Sequence, residues 1–286
     1  MDAVPSASGR GDLVEINPRV HFLAGPWQMW RNLRAHRHIV SNFISRDIRL
    51  KYRDSAFGFF WSLLEPLGLA AVFFIMFVIV LERPQPRAPL HIIMGVIVWG
   101  LFSRTLTSAL TSISKNGGTI KSVYFPREIF AITSAGGQLV LCSMSLLVAI
   151  PFMIYYGIQP SPYLVMAPAG MLLATALALG VGLCFACLNV VYRDVEFVFK
   201  FVVRAGMFLS PVMWTMDHAS GRGKLMGVLL FNPIAVPITM VRNGIDGRPI
   251  GVHAGWVVYS VVLCLGSLVL GAMIFKRWEA GVVKKV

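Results

Sequence analysis

The sequence predicts an all-α integral membrane protein with six transmembrane helices. Hydrophobic residues make up 56% of its 286 residues and charged residues only 14%, a composition typical of a chain that lies in lipid. Apolar stretches of roughly 20 residues, the length that crosses a bilayer as a helix, recur along the chain. The expected spans are residues 56–81, 88–113, 128–157, 163–191, 195–214 and 252–275.

The distribution of positive charge predicts the orientation of these spans. The formal net charge is +13, and most of the 26 lysines and arginines fall in segments that this layout places on the same side as both termini. Because Lys and Arg collect on the cytoplasmic side, both ends are expected in the cytoplasm. The basic residues lie at the ends of apolar spans and form no single basic face, so we expect no nucleic-acid partner.

The segments around the spans have distinct characters. Residues 228–241 are apolar but too short to cross, and prolines interrupt them, which favours a re-entrant or interfacial hairpin before the last span. The polar N-terminal residues lack the apolar core of a signal peptide and are expected to form a flexible tail. The predicted organisation is a cytoplasmic tail (1–26), an amphipathic interface segment (27–54), the six-helix transmembrane domain (55–276) and a second cytoplasmic tail (277–286).

The segment before the first span is both amphipathic and basic. At 100° per residue, Ile44, Ile48 and Tyr52 share one helix face, and arginines occupy the opposite face. Such a segment suits the cytoplasmic headgroup layer, where basic side chains meet anionic lipids. Plain anchoring of the first span would also explain it. We call its basic residues the collar: Arg46, Arg49, Lys51 and Arg53.

Two charges are expected at membrane depth. Glu65 and Arg104 each lie about nine residues from the cytoplasmic end of their spans, so they reach equal depth. Ionisable groups at that depth are costly unless they are paired, which predicts a Glu65–Arg104 ion pair. A Glu65 that is protonated, or that reaches the membrane surface, remains the alternative. Arg104 shares its helix face with Thr107, Ser108 and Thr111, and such a polar stripe favours contact with other helices or water.

The predicted fifth span carries an aromatic stripe with one guanidinium. Phe197, Phe201, Arg204 and Phe208 fall within about 60° of one another on a helix. Aromatic faces could hold sugar rings, and Arg forms forked hydrogen bonds to phosphate. Helix packing, with the arginine reaching towards the cytoplasm, explains the stripe equally well.

Several chemistries are not expected in this chain. The segment "GRGKLMG" at 221–227 lacks the upstream glycine and the following Ser or Thr of a phosphate-binding loop, so the chain is not expected to be an ATPase or another enzyme. Cys184 and Cys187 have the spacing of a metal or redox pair, but no further ligands stand nearby. We expect no catalytic residue, metal or cofactor here.

Four segments resemble one known family, the permease subunits of type-2 ABC exporters for polysaccharides, which include lipid-linked O-antigen, capsule and teichoic acid exporters. The resemblance covers about residues 27–276. The four segments are "RDIRLKYRDSAFGFFWSLLEPL" (46–67), "SISKNGGTIKSVYFPREIF" (112–130), "YRDVEFVFKFVVRAGMFLSPVMW" (192–214) and "FNPIAVPITMVRNGI" (231–245).

This resemblance implies a homodimer that works with two copies of a separate nucleotide-binding ABC ATPase, which binds the ATP and Mg. It also implies an interface helix within 27–54, a cytoplasmic coupling helix within 112–127 and short re-entrant helices within 228–245. The residues expected to contact the ATPase are Lys115, Lys121, Tyr124, Phe125 and Arg127.

The resemblance further implies export of a polyprenyl-diphosphate-linked glycan across the cytoplasmic (inner) membrane, driven by ATP closure of the partner. The collar is then expected to receive the diphosphate. The hypothesised substrate path comprises Trp61, Glu65, Arg104, Phe197, Phe201, Arg204 and Phe208.

Three alternatives remain at this point. One is export of a drug, lipid or peptide by the same class of machine. Another is an ion-coupled secondary transporter, which needs buried acids, and only Glu65 qualifies. A third is a membrane enzyme such as a glycosyltransferase, for which the sequence offers no cluster of carboxylates.

Overall fold

The computed structural model describes residues 24–80, 87–118, 126–214 and 231–282, and the regular structure in these ranges is entirely helical. The predicted all-α class is therefore confirmed for this part of the chain. The helices are α1 (Gly25–Ala35), α2 (Arg37–Lys51), α3 (Trp61–Phe74), α4 (Ala88–Leu110), α5 (Ser112–Lys115), α6 (Glu128–Tyr155), α7 (Pro162–Val191), α8 (Asp194–Leu209), α9 (Ala235–Asp246) and α10 (Ala254–Val282).

Four of these helices are long and apolar enough to cross a membrane. They are α4, α6, α7 and the part of α10 from Ala254 to Glu279, with lengths of 23 to 30 residues. The first and fifth predicted spans correspond to shorter helices, α3 with 14 residues and α8 with 16. A π-helix over Ile75–Val80 continues α3. At the other end of the chain, α10 remains helical to Val282, six residues past the predicted boundary at 276.

Local backbone signals explain the two shorter helices. Ser210, which caps α8, has the extended angles φ −91° and ψ 153°. It precedes Pro211, whose ring disfavours helical angles at the residue before it, so α8 stops short of the predicted end at 214. At the start of the first span, Gly58 has a positive φ of 50° and opens a short 3-10 turn. The α-helix therefore begins at Trp61, five residues later than predicted.

The predicted interface segment forms two helices that separate at His36. Helix α1 packs on α10, and α2 packs on α6. Val40 is buried and Ile44 is partly buried, and a Cβ at Gly136 of α6 would lie 2.7 Å from Ile44 Cδ1. The apolar face of α2 therefore contacts protein.

Helix α7 is the centre of the molecule and contacts α4, α9 and α10. Its glycines allow very close crossings: a Cβ at Gly180 would lie 2.4 Å from the backbone nitrogen of Leu268, and one at Gly182 would lie 2.5 Å from Ala109 Cβ. In lipid, where helices gain little from the hydrophobic effect, such close packing of small residues supplies much of the association energy.

Helix α9 occupies the position of the predicted hairpin before the last span. The described part of that segment contains one helical stretch, the start of α9, which runs for 12 residues from Ala235 to Asp246, is mostly buried and packs chiefly on α7. Pro237 lies in its first turn, where a missing backbone N–H breaks no helical hydrogen bond. The predicted residues 228–230 lie outside the described ranges.

The predicted layout puts Arg242 in the outer loop between the fifth and sixth spans, but it lies inside α9 and only 4% of its surface is exposed. Its guanidinium donates hydrogen bonds to the backbone carbonyls of His91, Val212 and Trp214. A Cβ at Gly95 would lie 2.4 Å from Arg242 Nη2, so the absence of a side chain there makes room for the guanidinium. One arginine thus ties α9 to the first turn of α4 and to the residues that follow α8.

Candidate functional site

A cavity of about 630 Å³ opens between α3, α4 and α8. Apolar and small polar residues of these helices form most of its wall. The charged residues that line it are Lys51, Glu65, Arg104, Lys200 and Arg204. Four cations and one carboxylate, within walls of low polarity, make this cavity attractive to an anion.

Glu65 and Arg104 form the predicted ion pair. Arg104 Nη1 lies 3.0 Å from Glu65 Oε1 and 3.1 Å from Oε2. Helix α4 accommodates the guanidinium because residue 100 is a glycine: a Cβ there would lie only 2.7 Å from Arg104 Nη2. Arg104 Nη2 also lies 3.8 Å from Cys142 Sγ of α6. The arginine is therefore held on three sides by α3, α4 and α6.

The polar stripe predicted beside Arg104 lies partly on the cavity wall. Thr107 and Ser108 line the cavity, together with Ser103. The Thr107 hydroxyl donates to the Ser103 carbonyl at 2.8 Å, which satisfies its donor within the helix. Gln138 of α6, which the sequence analysis did not select, also lines the cavity, and its Oε1 has no hydrogen-bond partner among the described residues.

Helix α8 supplies two cations to the cavity. Lys200 pairs with Glu196 one turn earlier at 2.7 Å. Arg204 is exposed and makes no ion pair with any described residue. Lys51, the last residue of α2, reaches the same cavity, although sequence reasoning placed it in the collar and apart from the spans.

The aromatic residues of the hypothesised path do not line this cavity. Phe197, Phe201 and Phe208 are 67%, 72% and 60% exposed, so they do not pack against the helices of their own chain. Trp61 is half exposed and meets Phe57 edge to face. Of the two interpretations of the α8 stripe, internal packing is therefore excluded for its phenylalanines in the described chain.

The rest of the collar does not line the cavity. Arg46 forms an exposed ion pair with Asp47 at 3.0 Å, and Arg49 and Arg53 are exposed. Only Lys51 of the four collar residues is a cavity residue.

The coupling segment is described only in part. Helix α4 ends at Leu110, three residues before the predicted end of the second span at 113, and the short helix α5 carries Lys115. Lys121, Tyr124 and Phe125 lie outside the described residues. At the far end of the segment, Arg127 Nη1 donates to the backbone carbonyl of Glu279 at 3.0 Å, which connects it to α10.

A buried charge cluster next to this segment was missed by sequence reasoning. Lys276 Nζ lies 2.7 Å from Glu128 Oε2 and 3.0 Å from Glu279 Oε1, and all three side chains are almost completely buried. The amide of Asn32 in α1 donates to Glu128 Oε1 at 2.8 Å. The cluster therefore joins α1, α6 and α10. The i, i+3 spacing of Lys276 and Glu279 was its only sequence signal.

A second cluster that sequence reasoning missed lies at the C-terminal end of α9. Arg87 and Arg248 form ion pairs with the Asp246 carboxylate, and His91 Nε2 lies 3.7 Å from it. Burial alone raises the pKa of Asp246, but the nearby His91 ring, the hydrogen bond from Arg87 and the charge of Arg248 hold the pKa below its usual value. This carboxylate therefore stays ionised and anchors the end of α9 to the start of α4.

The four long apolar helices are those of a multi-pass membrane protein, and a basic cavity between helices is a feature expected of a transporter. Residues 40–245 match the ABC-2 type transporter family, and the chain belongs to that family. Membership implies an ABC ATPase partner.

Curated relatives carry more specific names. An O-antigen export system permease protein RfbA of Klebsiella pneumoniae is 26% identical over 202 residues, which is 70% of this chain and 76% of the relative. The RfbA protein of Myxococcus xanthus is 23% identical over 209 residues, 73% of this chain and 80% of the relative. The polysialic acid transport protein KpsM of Escherichia coli is 22% identical over 248 residues, 84% of this chain and 93% of the relative.

Proposed function

We propose that this chain is the permease of an ATP-driven exporter that moves a polyprenyl-diphosphate-linked polysaccharide across the cytoplasmic membrane. The names of its relatives, O-antigen export and polysialic acid transport, support a glycan as the transported molecule. The single observation that carries the proposal is the cavity between α3, α4 and α8, because its four cations suit a diphosphate.

In this proposal the chain crosses the bilayer six times, with both termini in the cytoplasm. Helix α3 and its π-helical continuation comprise 20 residues and would rise about 30 Å, close to the thickness of the hydrocarbon core. Helix α8 would rise about 24 Å, and residues 210–214 cover the remaining depth. Helix α9 is too short to cross and lies as a re-entrant helix.

Two copies of the chain are proposed to face each other through α3 and α8. The exposed phenylalanines of α8 and the half-exposed Trp61 support this arrangement, because no other part of the described chain covers them. Between two protomers these rings would offer stacking faces to successive sugars of the glycan. The collar would attract anionic headgroups, and Lys51 would pass the diphosphate to the cavity.

ATP is proposed to act through a separate ATPase subunit. Two copies of an ABC ATPase, which bind the ATP and Mg, would press on residues 112–127 and on helices α1 and α2. The hydrogen bond from Arg127 to Glu279 and the cluster around Lys276 support this route, because they connect the end of the coupling segment to α1 and α10.

The Glu65–Arg104 pair favours this function over ion-coupled secondary transport. A coupling carboxylate must exchange its ion in a shielded site. Glu65 is instead paired with a guanidinium, and 62% of its side chain is exposed.

The test is glycan movement in proteoliposomes that contain this chain and its partner ATPase. We expect a polyprenyl-diphosphate-linked glycan to cross only with ATP and only with a hydrolysis-competent partner. Movement at full rate without the ATPase, or driven by an ion gradient alone, would contradict the proposal. Selective transport of a drug or of a lipid without sugar would instead assign this chain to the exporters of drugs or lipids.

Replacing Arg204 tests the cavity itself. We expect Arg204→Gln to reduce glycan export about fivefold to tenfold, because an exposed guanidinium that contacts phosphate contributes roughly 1 kcal/mol. The measurement is surface glycan in cells that carry equal amounts of assembled complex. Arg193→Gln is the matched control, since Arg193 caps the start of the same helix, is exposed and does not line the cavity. Equal export by both variants would remove the cavity from the substrate path.

A further inference from the structure

The Glu65–Arg104 pair has a geometry that leaves the arginine open to a second anion. Arg104 Nη1 serves both carboxylate oxygens, at 3.0 Å and 3.1 Å. Among the described residues, its other terminal nitrogen, Nη2, donates only to the thiol sulfur of Cys142, at 3.8 Å. The strongest arginine pairs are forks, in which two nitrogens each meet one oxygen. Glu65 does not form such a fork, so an anion that uses both terminal nitrogens would bind this guanidinium better.

The two partners differ in how firmly they are held. Arg104 is fixed against its own helix by the gap at Gly100 and by its contact with α6. Its side chain is 32% exposed, whereas that of Glu65 is 62% exposed. Glu65 lines the cavity, so when its carboxylate rotates away from Arg104 it can still be hydrated there, and it loses less than a carboxylate moved into lipid. Glu65 is therefore the partner that can leave, while Arg104 stays in place.

The surroundings favour replacement of Glu65 by a ligand anion. Glu65 is the one carboxylate among the charged residues that line the cavity, and Lys51, Lys200 and Arg204 lie around the same space. When the cavity holds no ligand, Glu65 neutralises one of these charges. When a phosphate group enters, the carboxylate competes with it for Arg104.

We propose that Glu65 is a built-in counter-ion that occupies Arg104 in the empty cavity and is displaced by the phosphate group of the entering ligand. This inference rests on the proposed function, since it assigns a role to Glu65 within the same cavity. It makes Glu65 a residue that weakens ligand binding, so that the anion can leave again. It also distinguishes Glu65 from the four cations, which strengthen binding.

The test measures binding of inorganic diphosphate to the full-length chain in nanodiscs of neutral lipid, by calorimetry at low ionic strength. We expect Glu65→Gln to bind diphosphate about twofold to fivefold more tightly than the natural chain, the range set by one exposed ion pair. Asp47→Asn is the matched control. It removes the same charge from a partly exposed carboxylate that also pairs with an arginine, but Asp47 does not line the cavity. Its affinity should change by less than about twofold.

A double-mutant cycle separates displacement from general electrostatics. In an Arg104→Gln background, Glu65→Gln should give no gain, because the guanidinium for which Glu65 competes is gone. A gain that persists there, or an affinity that is unchanged or lower in the single Glu65→Gln variant, overturns the inference. If Glu65→Gln does not fold, Glu65→Asp replaces it, and its shorter carboxylate should also raise affinity.

Failure of the inference and failure of the proposed function give different results. Binding by the natural chain with no gain in Glu65→Gln removes only the counter-ion role. Absence of diphosphate binding in every variant overturns both, because the cavity then holds no phosphate group.

Discussion

Replacing Gly180 with alanine is expected to cost about 2 to 3 kcal/mol of stability, within the range observed when a well-packed contact is overfilled. A Cβ at this position would lie 2.4 Å from the backbone nitrogen of Leu268 and 2.5 Å from the backbone oxygen of Ser267. Backbone atoms of α10 cannot rotate away as the end of a side chain can, so the whole helix must shift. The measurement is thermal unfolding of the purified chain in detergent, together with its elution as a single species.

Reciprocal and control variants sharpen this prediction. Gly271 lies across the same crossing, and a Cβ there would lie 2.2 Å from the carbonyl oxygen of Gly180, so Gly271→Ala should destabilise similarly. Gly266 lies on α10, as Gly271 does, and no atom lies within 4 Å of a Cβ added at this position. Gly266→Ala should be neutral or stabilising by up to about 1 kcal/mol, because alanine has the higher helix propensity. Equal effects at Gly180 and Gly266 would mean that α7 and α10 do not cross so closely.

The ion pair was predictable because depth in a membrane can be counted along one helix. Glu65 and Arg104 were each placed by residue count from the same membrane face, and two opposite charges at equal depth have a strong reason to meet. The end of α8 could also have been predicted, because Pro211 disfavours helical angles at Ser210. The predicted span was nevertheless drawn through this proline to residue 214.

The lateral arrangement of the helices was not predictable in the same way. Helical periodicity placed Arg204 on a stripe with three phenylalanines, but it carries no information about which helix that stripe faces. In the structure Arg204 reaches the cavity, and the rings remain outside it. Lys51 joins the cavity because α2 lies along α6, a contact between distant parts of the chain.

The burial of two cations could not be predicted, because it depends on contacts between residues far apart in the sequence. Arg242 donates to the carbonyl of His91, 151 residues away, and its position between apparent outer-loop residues gave no sign of burial. Lys276 was assigned to the membrane boundary by its charge, but its partner Glu128 opens a helix in the middle of the chain. For both residues, the count of charges along the sequence assigned a side of the membrane but could not identify the partner.

Replacing Lys276 with methionine is expected to be at least as damaging as the glycine changes. The lysine is the shared partner of Glu128 and Glu279, and the three side chains are 5%, 0% and 6% exposed. Removing one member of a buried ion pair typically costs about 3 to 5 kcal/mol, because a charge is left without a partner away from water. In Lys276→Met two carboxylates lose the same ammonium, and they also repel each other.

Rescue decides whether unpaired charge is the cause. In the triple variant Lys276→Met, Glu128→Gln, Glu279→Gln no carboxylate remains in the cluster, so thermal stability should recover most of the loss, since amides at these positions keep hydrogen-bonding capacity without charge. Lys200→Met is the control, because its pair with Glu196 is exposed and should contribute less than about 1 kcal/mol.

The same cluster joins α1 and α10 to the end of the coupling segment. If it also transmits motion, the rescued triple variant should fold with its ATPase and hydrolyse ATP, yet export less glycan for each ATP. Full export by that variant would mean that the charges serve stability alone.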